Sequence, residues 1–246
     1  MTITVVRDHP IYHEVHGAGE PVLLLHGGFC SLEMMRPQLE ALAAEYTVYA
    51  PERPGHGRTA DLPGPFGYEG GVADTIAYLD AMGLDDVHIV GFSDGAIIGL
   101  LVALQHPGRI RSLVSISGNL DPSGFVENSA EENQAESDAA PEPDRTREFY
   151  NLLSPDGPEH ADVVVDKLMT LWTTEPSISP AALTAVSAPT LVIAGDRDVI
   201  KLEHSALIAR SIPGGQLCIV PGAGHGLIES RGEFVTFALQ QFLRAQ

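Results

Sequence analysis

The chain has 246 residues, with 33 acidic side chains against 14 basic ones and a formal charge of −19 when histidine is neutral. That length suits one large α/β domain or a core with an inserted lid, and 44% apolar content in strongly patterned stretches excludes disorder throughout. Basic residues this few and this scattered argue against nucleic acid and anionic membrane surfaces as partners.

Cys30 and Cys218 stand far apart and in no metal-ligand spacing. They read as thiols of a reducing compartment, although a single bridge between them is compatible with the count. The first 16 residues alternate apolar and polar without the basic start and apolar run of a signal peptide. No apolar stretch approaches the roughly 20 residues that span a bilayer, so the expectation is a soluble cytoplasmic protein.

Taken in chain order, residues 3–6 and 11–16 alternate as strands, with a turn at 17–20, and 22–25 is a short apolar run suited to a strand buried on both faces. Residues 34–46 read as helix, 47–50 as strand, and 68–82 as a helix stopped by Gly83. Then come a buried strand at 87–90, a helix at 94–106 closed by Pro107-Gly108, and a strand at 110–116. Such alternation implies a mostly parallel sheet with right-handed crossovers and helices on both faces. After Gly118 the character changes. Residues 118–186 are rich in proline and acids, with amphipathic helical stretches at 147–153 and 161–172. The tract 127–144 is close to low complexity and is expected to be mobile. The strand-and-helix pattern resumes at 190–194, 203–211, 217–220 and 232–242. The expected organisation is therefore a core of 1–117 and 187–246 carrying an inserted, acidic, mainly helical cap at 118–186.

Three groups of residues carry chemistry, each just beyond a predicted strand. Gly91-Phe92-Ser93-Asp94-Gly95 fits G-x-S-x-G, for which this composition gives roughly 0.15 chance matches. Its position matters more than its letters, because it follows a buried strand and opens a helix, as a nucleophile elbow must. The two glycines allow close strand–helix packing, and Ser93 Oγ projects from a sharp turn beside a helix N-terminus. His26-Gly27-Gly28-Phe29 follows the preceding strand. Its glycine-rich turn suits an oxyanion donor, assigned to the Gly28 N–H with Phe29 second, opposite the Asp94 N–H. His26 reads as a loop-fixing residue. The strand at 190–194 runs into Gly195-Asp196-Arg197-Asp198, which ends in two carboxylates, and His225 sits in the loop Gly222-Ala223-Gly224-His225-Gly226 after the last strand. The order Ser…Asp…His follows. A serine hydroxyl needs a histidine to take its proton, and that histidine needs a carboxylate to fix its tautomer. Spacing alone leaves Asp196 and Asp198 both open.

With these motifs and Arg53-Pro54-Gly55-His56-Gly57-Arg58-Thr59, the chain resembles the α/β-hydrolase superfamily nearly from end to end. The resemblance implies the α/β-hydrolase fold, with a cap inserted after the sixth strand. It implies Ser93 as nucleophile, His225 as base and Asp198 as acid, since the family's acid closes a Gly-x-x-Asp turn. It also implies a structural role for the 53–59 loop, with His56 outside the chemistry. The polar 127–144 tract departs from the usual cap helices.

A serine triad makes acyl transfer to water the expected reaction, on small carboxylic esters or lactones first and thioesters or amides second. No cofactor and no metal are implied, and the oligomeric state is not readable. C–C bond hydrolysis of ring-cleavage products would use the same triad, but those substrates are anionic and the cap offers no obvious cationic site. A non-catalytic ligand-binding protein on a hydrolase scaffold is the reading from another class. The elbow's Asp94 resembles the Gly-x-Ser-Asp-Gly branch, which includes small carboxylesterases and lactonases and α-amino-ester hydrolases of the valacyclovir-hydrolase type. That likeness suggests a carboxylate facing a substrate ammonium. The alternative, favoured here, is an acid that complements the helix dipole and touches nothing. Phe149, Met169 and Trp172, with Tyr150 and Leu171, are candidates for an apolar acyl pocket or for the cap's own core. Cys30 reads as a packed small residue.

The cap carries 14 acids and 3 bases, so it holds more than half of the net charge. Over the sheet's carboxyl edge it would place negative potential at the entrance, within a Debye length of about 8 Å. Raising salt from 20 to 500 mM should therefore narrow the preference for neutral or cationic esters over anionic ones. Steady-state rates on matched esters that keep one ratio across that range would contradict this.

Overall fold

Short apolar runs between turn residues become the strands of one sheet in this computed structural model, which describes residues 2–126 and 145–246. The acidic tract 127–144, expected to be mobile, lies outside the described residues. The strands are β1 (Thr2–Val6), β2 (His9–Gly17), β3 (Pro21–Leu25), β4 (Thr47–Pro51), β5 (Val87–Phe92), β6 (Ile110–Ile116), β7 (Thr190–Gly195) and β8 (Gln216–Val220). Their order is β1-β2-β4-β3-β5-β6-β7-β8. β2 pairs antiparallel with both β1 and β4, and every later pairing is parallel. The carboxyl ends of β3, β5, β6, β7 and β8 therefore share one edge.

The described α-helices are α1 (Arg36–Leu42), α2 (Tyr68–Ala81), α3 (Asp94–Gln105), α4 (Arg145–Leu153), α5 (Ala161–Thr174), α6 (Leu202–Ser211), α7 (Leu227–Ser230) and α8 (Gly232–Leu243). The helix expected at 34–46 is shorter. A 3-10 turn at Leu32–Met35, capped by the Ser31 side chain, precedes it. Pro37 lacks an N–H, so it fits only the first turn of a helix, and α1 accordingly begins at Arg36.

Alternation along the central strands sorts side chains into two apolar cores. Leu23, Leu25, Val87, Ile89, Leu113 and Val192 face a core shared with α2, α3 and α6. Val22, Leu24, Val90, Phe92, Val114 and Ile193 face the other, shared with α1, α7 and α8. The insertion is not a separate globule. Tyr150, Val164, Leu168 and Leu171 of its helices belong to the first core. Polar contacts converge on Asp61 of the core: Lys167 Nζ at 2.6 Å, His160 Nε2 at 2.8 Å, and the Asp61 N–H donating to Asp156 Oδ2 at 2.7 Å. Glu175 accepts from the N–H of Tyr68 at 3.1 Å, at the start of α2. No helix among the described residues is long and apolar enough to cross a membrane.

Five histidines are buried, and desolvation pushes the pKa of each below the ordinary value: His13, His26, His56, His88 and His204. For His26 burial, and then the Arg53 charge, bring it to about 3. The unfolded chain therefore binds more protons than the folded one below about pH 6.5, and stability is lost as the pH falls through that window. Glu52, pushed up to about 6 by burial, opposes this between about pH 4.5 and 6, but it is one group against five. The urea midpoint should fall steadily from pH 7 to pH 5, with each histidine contributing up to about 1.4 kcal/mol per pH unit. A midpoint flat over that range would contradict the assignment.

Candidate active site

The strand-to-helix turn between β5 and α3 holds Ser93 at φ 52°, ψ −117°, in a region that a non-glycine residue enters only under constraint. The constraint is visible on both sides. The Ser93 N–H donates to Ile116 O of β6 at 2.8 Å, and Ser93 O accepts from the Ala96 and Ile97 N–H groups. A Cβ on Gly91 would lie 2.2 Å from Gly95 O, and one on Gly95 would lie 2.0 Å from Leu25 O of β3. Only glycine at both positions lets α3 start against the sheet.

His225 reaches this turn from the loop after β8. Its Nε2 accepts from Ser93 Oγ at 3.0 Å, and its Nδ1–H donates to Asp198 Oδ1 at 2.7 Å. The ring also lies against Phe92, with centroids 5.2 Å apart. The structure thus brings Ser93, His225 and Asp198 together across three strand ends. Asp196, the other carboxylate of that turn, accepts instead from the Ala223 N–H at 3.2 Å and braces the loop that carries the histidine. Asp198 is buried. Burial pushes its carboxyl up, but the hydrogen bond and charge of His225, the Ser117 hydroxyl and the Ile200 N–H outweigh that and hold it below the ordinary carboxylate value. Ser117 Oγ donates to Asp198 Oδ2 at 2.5 Å, and the Ile200 N–H donates to Oδ1 at 3.1 Å. The sequence reading missed Ser117. Its signal was available, since it directly follows the strand at 110–116 and so stands on the same edge.

The loop after β3 runs beside the serine. A Cβ on Gly27 would stand 3.2 Å from Ser93 Cβ, and Phe29 has φ 49°. His26 fixes this loop as a neutral ring. Its Nδ1–H donates to Gly27 O at 2.8 Å, and its Nε2 accepts from the Arg53 N–H at 3.0 Å. Arg53 Nη2 donates to Gly27 O at 2.9 Å and to His26 O at 3.2 Å. On the other side of the serine, Asp94 is the first residue of α3, so its N–H has no intrahelical acceptor.

The Asp94 side chain requires a correction. It does not touch nothing. It is 1% exposed, and its Oδ1 accepts from Tyr68 OH and from Trp172 Nε1, both at 2.9 Å. Arg53 Nη2 stands 3.6 Å from Oδ2. Burial, followed by the Asp94 charge, pushes the Tyr68 phenol up, which keeps it a donor. Asp94 Oδ2, by contrast, is buried without a hydrogen-bond partner among the described residues. Gly28 is required by the same cluster, because a Cβ there would meet Asp94 Oδ2 and Trp172 Cζ2, each at 2.6 Å.

The other expected pocket residues are dispersed. Trp172 is half-buried with its indole N–H engaged by Asp94. Phe149 packs on the second core with Arg145 over its ring at 5.5 Å. Met169, on α5, is 51% exposed and so stands outside the cap's own core. Tyr150 stacks on Phe29, with centroids 5.3 Å apart, and Leu171 belongs to the first core. Among the described residues, no group of histidines, cysteines and carboxylates is arranged to hold a metal.

Comparison with known proteins agrees with this architecture. A family model described as alpha/beta hydrolase family matches residues 22–237. A putative carbamate hydrolase RutD of Azorhizobium caulinodans is 40% identical over 119 residues, which are 48% of this chain and 45% of that protein. For this relative the chain is thus matched over less than half of the relative's length. The protein of the same description from Caulobacter sp. (strain K31) is 26% identical over 96% of both chains. Among solved structures, the enol-lactonase from Burkholderia xenovorans LB400 superposes with a TM-score of 0.81 at 18% identity, covering 99% of this chain and 100% of the other, a likeness of fold.

The close approach at the elbow can be tested directly. Gly95→Ala should cost about 2 kcal/mol or more, because the obstructing atom is strand backbone that cannot swing aside. Gly70→Ala, in α2 with nothing within 4 Å of the new Cβ, should instead gain about 0.5–1 kcal/mol. Denaturant midpoints decide, and equal shifts for the two variants would refute the steric account.

Proposed function

The chain belongs to the alpha/beta hydrolase family, and on that premise we propose that it is a serine hydrolase of small carboxylic esters or lactones, working through an acyl-enzyme. The observation that carries this reading is the hydrogen-bonded sequence Ser93 Oγ, His225, Asp198, with the serine in a strained turn at the sheet edge. Ser93 Oγ attacks the acyl carbon while His225 Nε2 takes its proton. Asp198 accepts from Nδ1–H and stabilises the imidazolium. The carbonyl oxygen, now an oxyanion, accepts from the Asp94 N–H and from the N–H of Gly28 or Phe29, each such donor being worth about 2.7–4 kcal/mol. Collapse expels the alcohol, protonated by His225. Water, deprotonated by the same ring, then releases the acid and restores Ser93.

Two observations narrow the substrate class. The three cap cations are each engaged within the protein: Arg145 with Glu229 at 2.6 Å, Arg147 with Asp162 at 2.5 Å, and Lys167 with Asp61 at 2.6 Å. That favours neutral acyl groups over the anionic substrates of C–C bond hydrolysis. The activity named for the RutD relatives would use the same acyl chemistry, so an aryl carbamate belongs in the test panel as the second reading.

The assay uses p-nitrophenyl esters of increasing acyl length, a lactone, an aminoacyl ester and an aryl carbamate. Ser93→Ala should lose at least about 10⁴-fold in kcat/KM, and Asp198→Asn roughly 10⁴-fold in kcat, with Asp196→Asn affected far less. A fluorophosphonate should label the wild type and not Ser93→Ala. Equal turnover by Ser93→Ala would sink the nucleophile assignment. A folded wild type that no probe labels and no ester engages would favour a ligand-binding protein.

A further inference from the structure

Behind the layer formed by Arg53 and Tyr68 lies a cavity of about 250 Å³ that Ser93, His225 and Asp198 do not border. It is lined by the 53–67 loop, the start of α2, the β1–β2 turn and α5, and it opens to solvent past Pro63, Pro65 and Gly70. Its walls are largely apolar, with Pro63, Pro65 and Phe66 on one side and Leu168 and Leu171 on the other. That volume is many times what one water occupies. A body the size of a single aromatic ring suits it.

Three polar atoms of the lining residues have no hydrogen-bond partner among the described residues: Arg53 Nε and His56 Nε2 beside Phe66, and His9 Nε2 on the β1–β2 side. Their chemistry differs. Arg53 is always charged, so its Nε–H is a donor. Its Nη2 is already spent on the oxyanion loop and on Asp94, leaving Nε over. His56 is 2% exposed, and its Nδ1 stands 2.9 Å from Pro54 O. A carbonyl can only accept, so Nδ1 carries the proton. Burial, followed by the charge of Arg53, holds the ring neutral, and Nε2 therefore keeps its lone pair as an acceptor. Of the other groups facing the cavity, Arg7 is paired with Asp74 at 3.0 Å, while His9 Nε2 stands 3.7 Å from the same carboxylate, beyond hydrogen-bond distance. The buried Arg53 donor and His56 acceptor each forfeit a hydrogen bond unless something entering the cavity supplies it.

We propose that this cavity is a second binding site, for a small neutral molecule with an apolar body and one head group that both donates and accepts, such as a primary carboxamide or a hydroxyl. A carboxylate is the wrong complement, because it offers two acceptors and would face the His56 lone pair. A plain hydrocarbon fills the walls and leaves both polar atoms unmet. Arg53 and Tyr68 border the cavity on one side and hold Asp94 on the other, so an occupant is sensed at the elbow. Trp172, the chain's single tryptophan, shares Asp94 Oδ1 with Tyr68 and reports it.

The test titrates the full-length protein with benzamide, benzyl alcohol, benzoate and toluene. It follows the imidazole ¹⁵N signals of His56 and His225, together with the fluorescence of Trp172. Benzamide and benzyl alcohol should shift the His56 Nε2 signal saturably, with Kd of about 0.1–10 mM. Benzoate and toluene should bind at least about tenfold more weakly. Leu168→Phe, which fills the chamber from its apolar wall, should abolish the His56 shift. Should that variant not fold, the selectivity series on the wild type still decides. A His56 signal unmoved by all four probes overturns the proposal. So does toluene or benzoate matching benzamide, and so does a benzamide response confined to His225.

Discussion

Everything at the sheet edge depends on a steric permission at two positions. An α-helix can begin within contact distance of strand backbone only where the intervening Cβ atoms are missing, and here they are missing at Gly91 and Gly95. With α3 seated that closely, the chain has no relaxed path between β5 and the helix. Ser93 therefore takes a positive φ, held by its N–H to Ile116 O. Backbone strain of this kind costs about 1–3 kcal/mol and persists only when its surroundings over-determine it. The two glycines, the β6 hydrogen bond and the buried start of α3 supply that over-determination. His225 and Asp198 come from distant loops to a point that the turn has already defined.

The residue after the serine extends the same logic into the cap. Asp94 is buried, and a buried carboxylate must be hydrogen-bonded or paired. Its partners come from three separate places: Tyr68 at the start of α2, Trp172 on α5 and Arg53 after β4. Arg53 also holds the carbonyls of His26 and Gly27. One carboxylate thereby links the cap, the elbow and the loop beside the serine. With Asp61 gathering His160 and Lys167, and the apolar face of α5 sharing the first core, the cap is joined to the core by both packing and charge. The same arrangement leaves Arg53 Nε and His56 Nε2 without partners in the chamber behind it.

Most of the architecture was legible in the chain because its signals are local. Buried strands such as 22–25 and 87–90 announce themselves as short apolar runs, and the helix at 94–106 by its length and its Pro-Gly stop. The helix expected at 34–46 starts later, at Arg36, because Pro37 tolerates only a first turn, and it ends at Leu42. Ser93, His225 and a carboxylate in the 195–198 turn were legible as types in an order. What separated Asp198 from Asp196 was which oxygen His225 Nδ1 meets, and that is a distance. Ser117 was missed for the same reason, since a serine after a strand is commonplace until a carboxylate lies beside it.

The sequence by itself determined the doubly covered parallel sheet, the inserted acidic cap and the chemical types waiting at the strand ends. These follow from periodicity, from glycine placement and from the count of charges along the chain. Only the tertiary structure decided what Asp94 does. Nothing in Gly-x-Ser-Asp-Gly says whether that carboxylate faces a ligand, water or the protein. The answer came from Tyr68, Trp172 and Arg53, which lie 26, 78 and 41 positions away and become neighbours only once the sheet and cap are assembled. Hydrogen bonds between such remote residues leave no periodic trace, because the chain between them is free to vary so long as the ends meet.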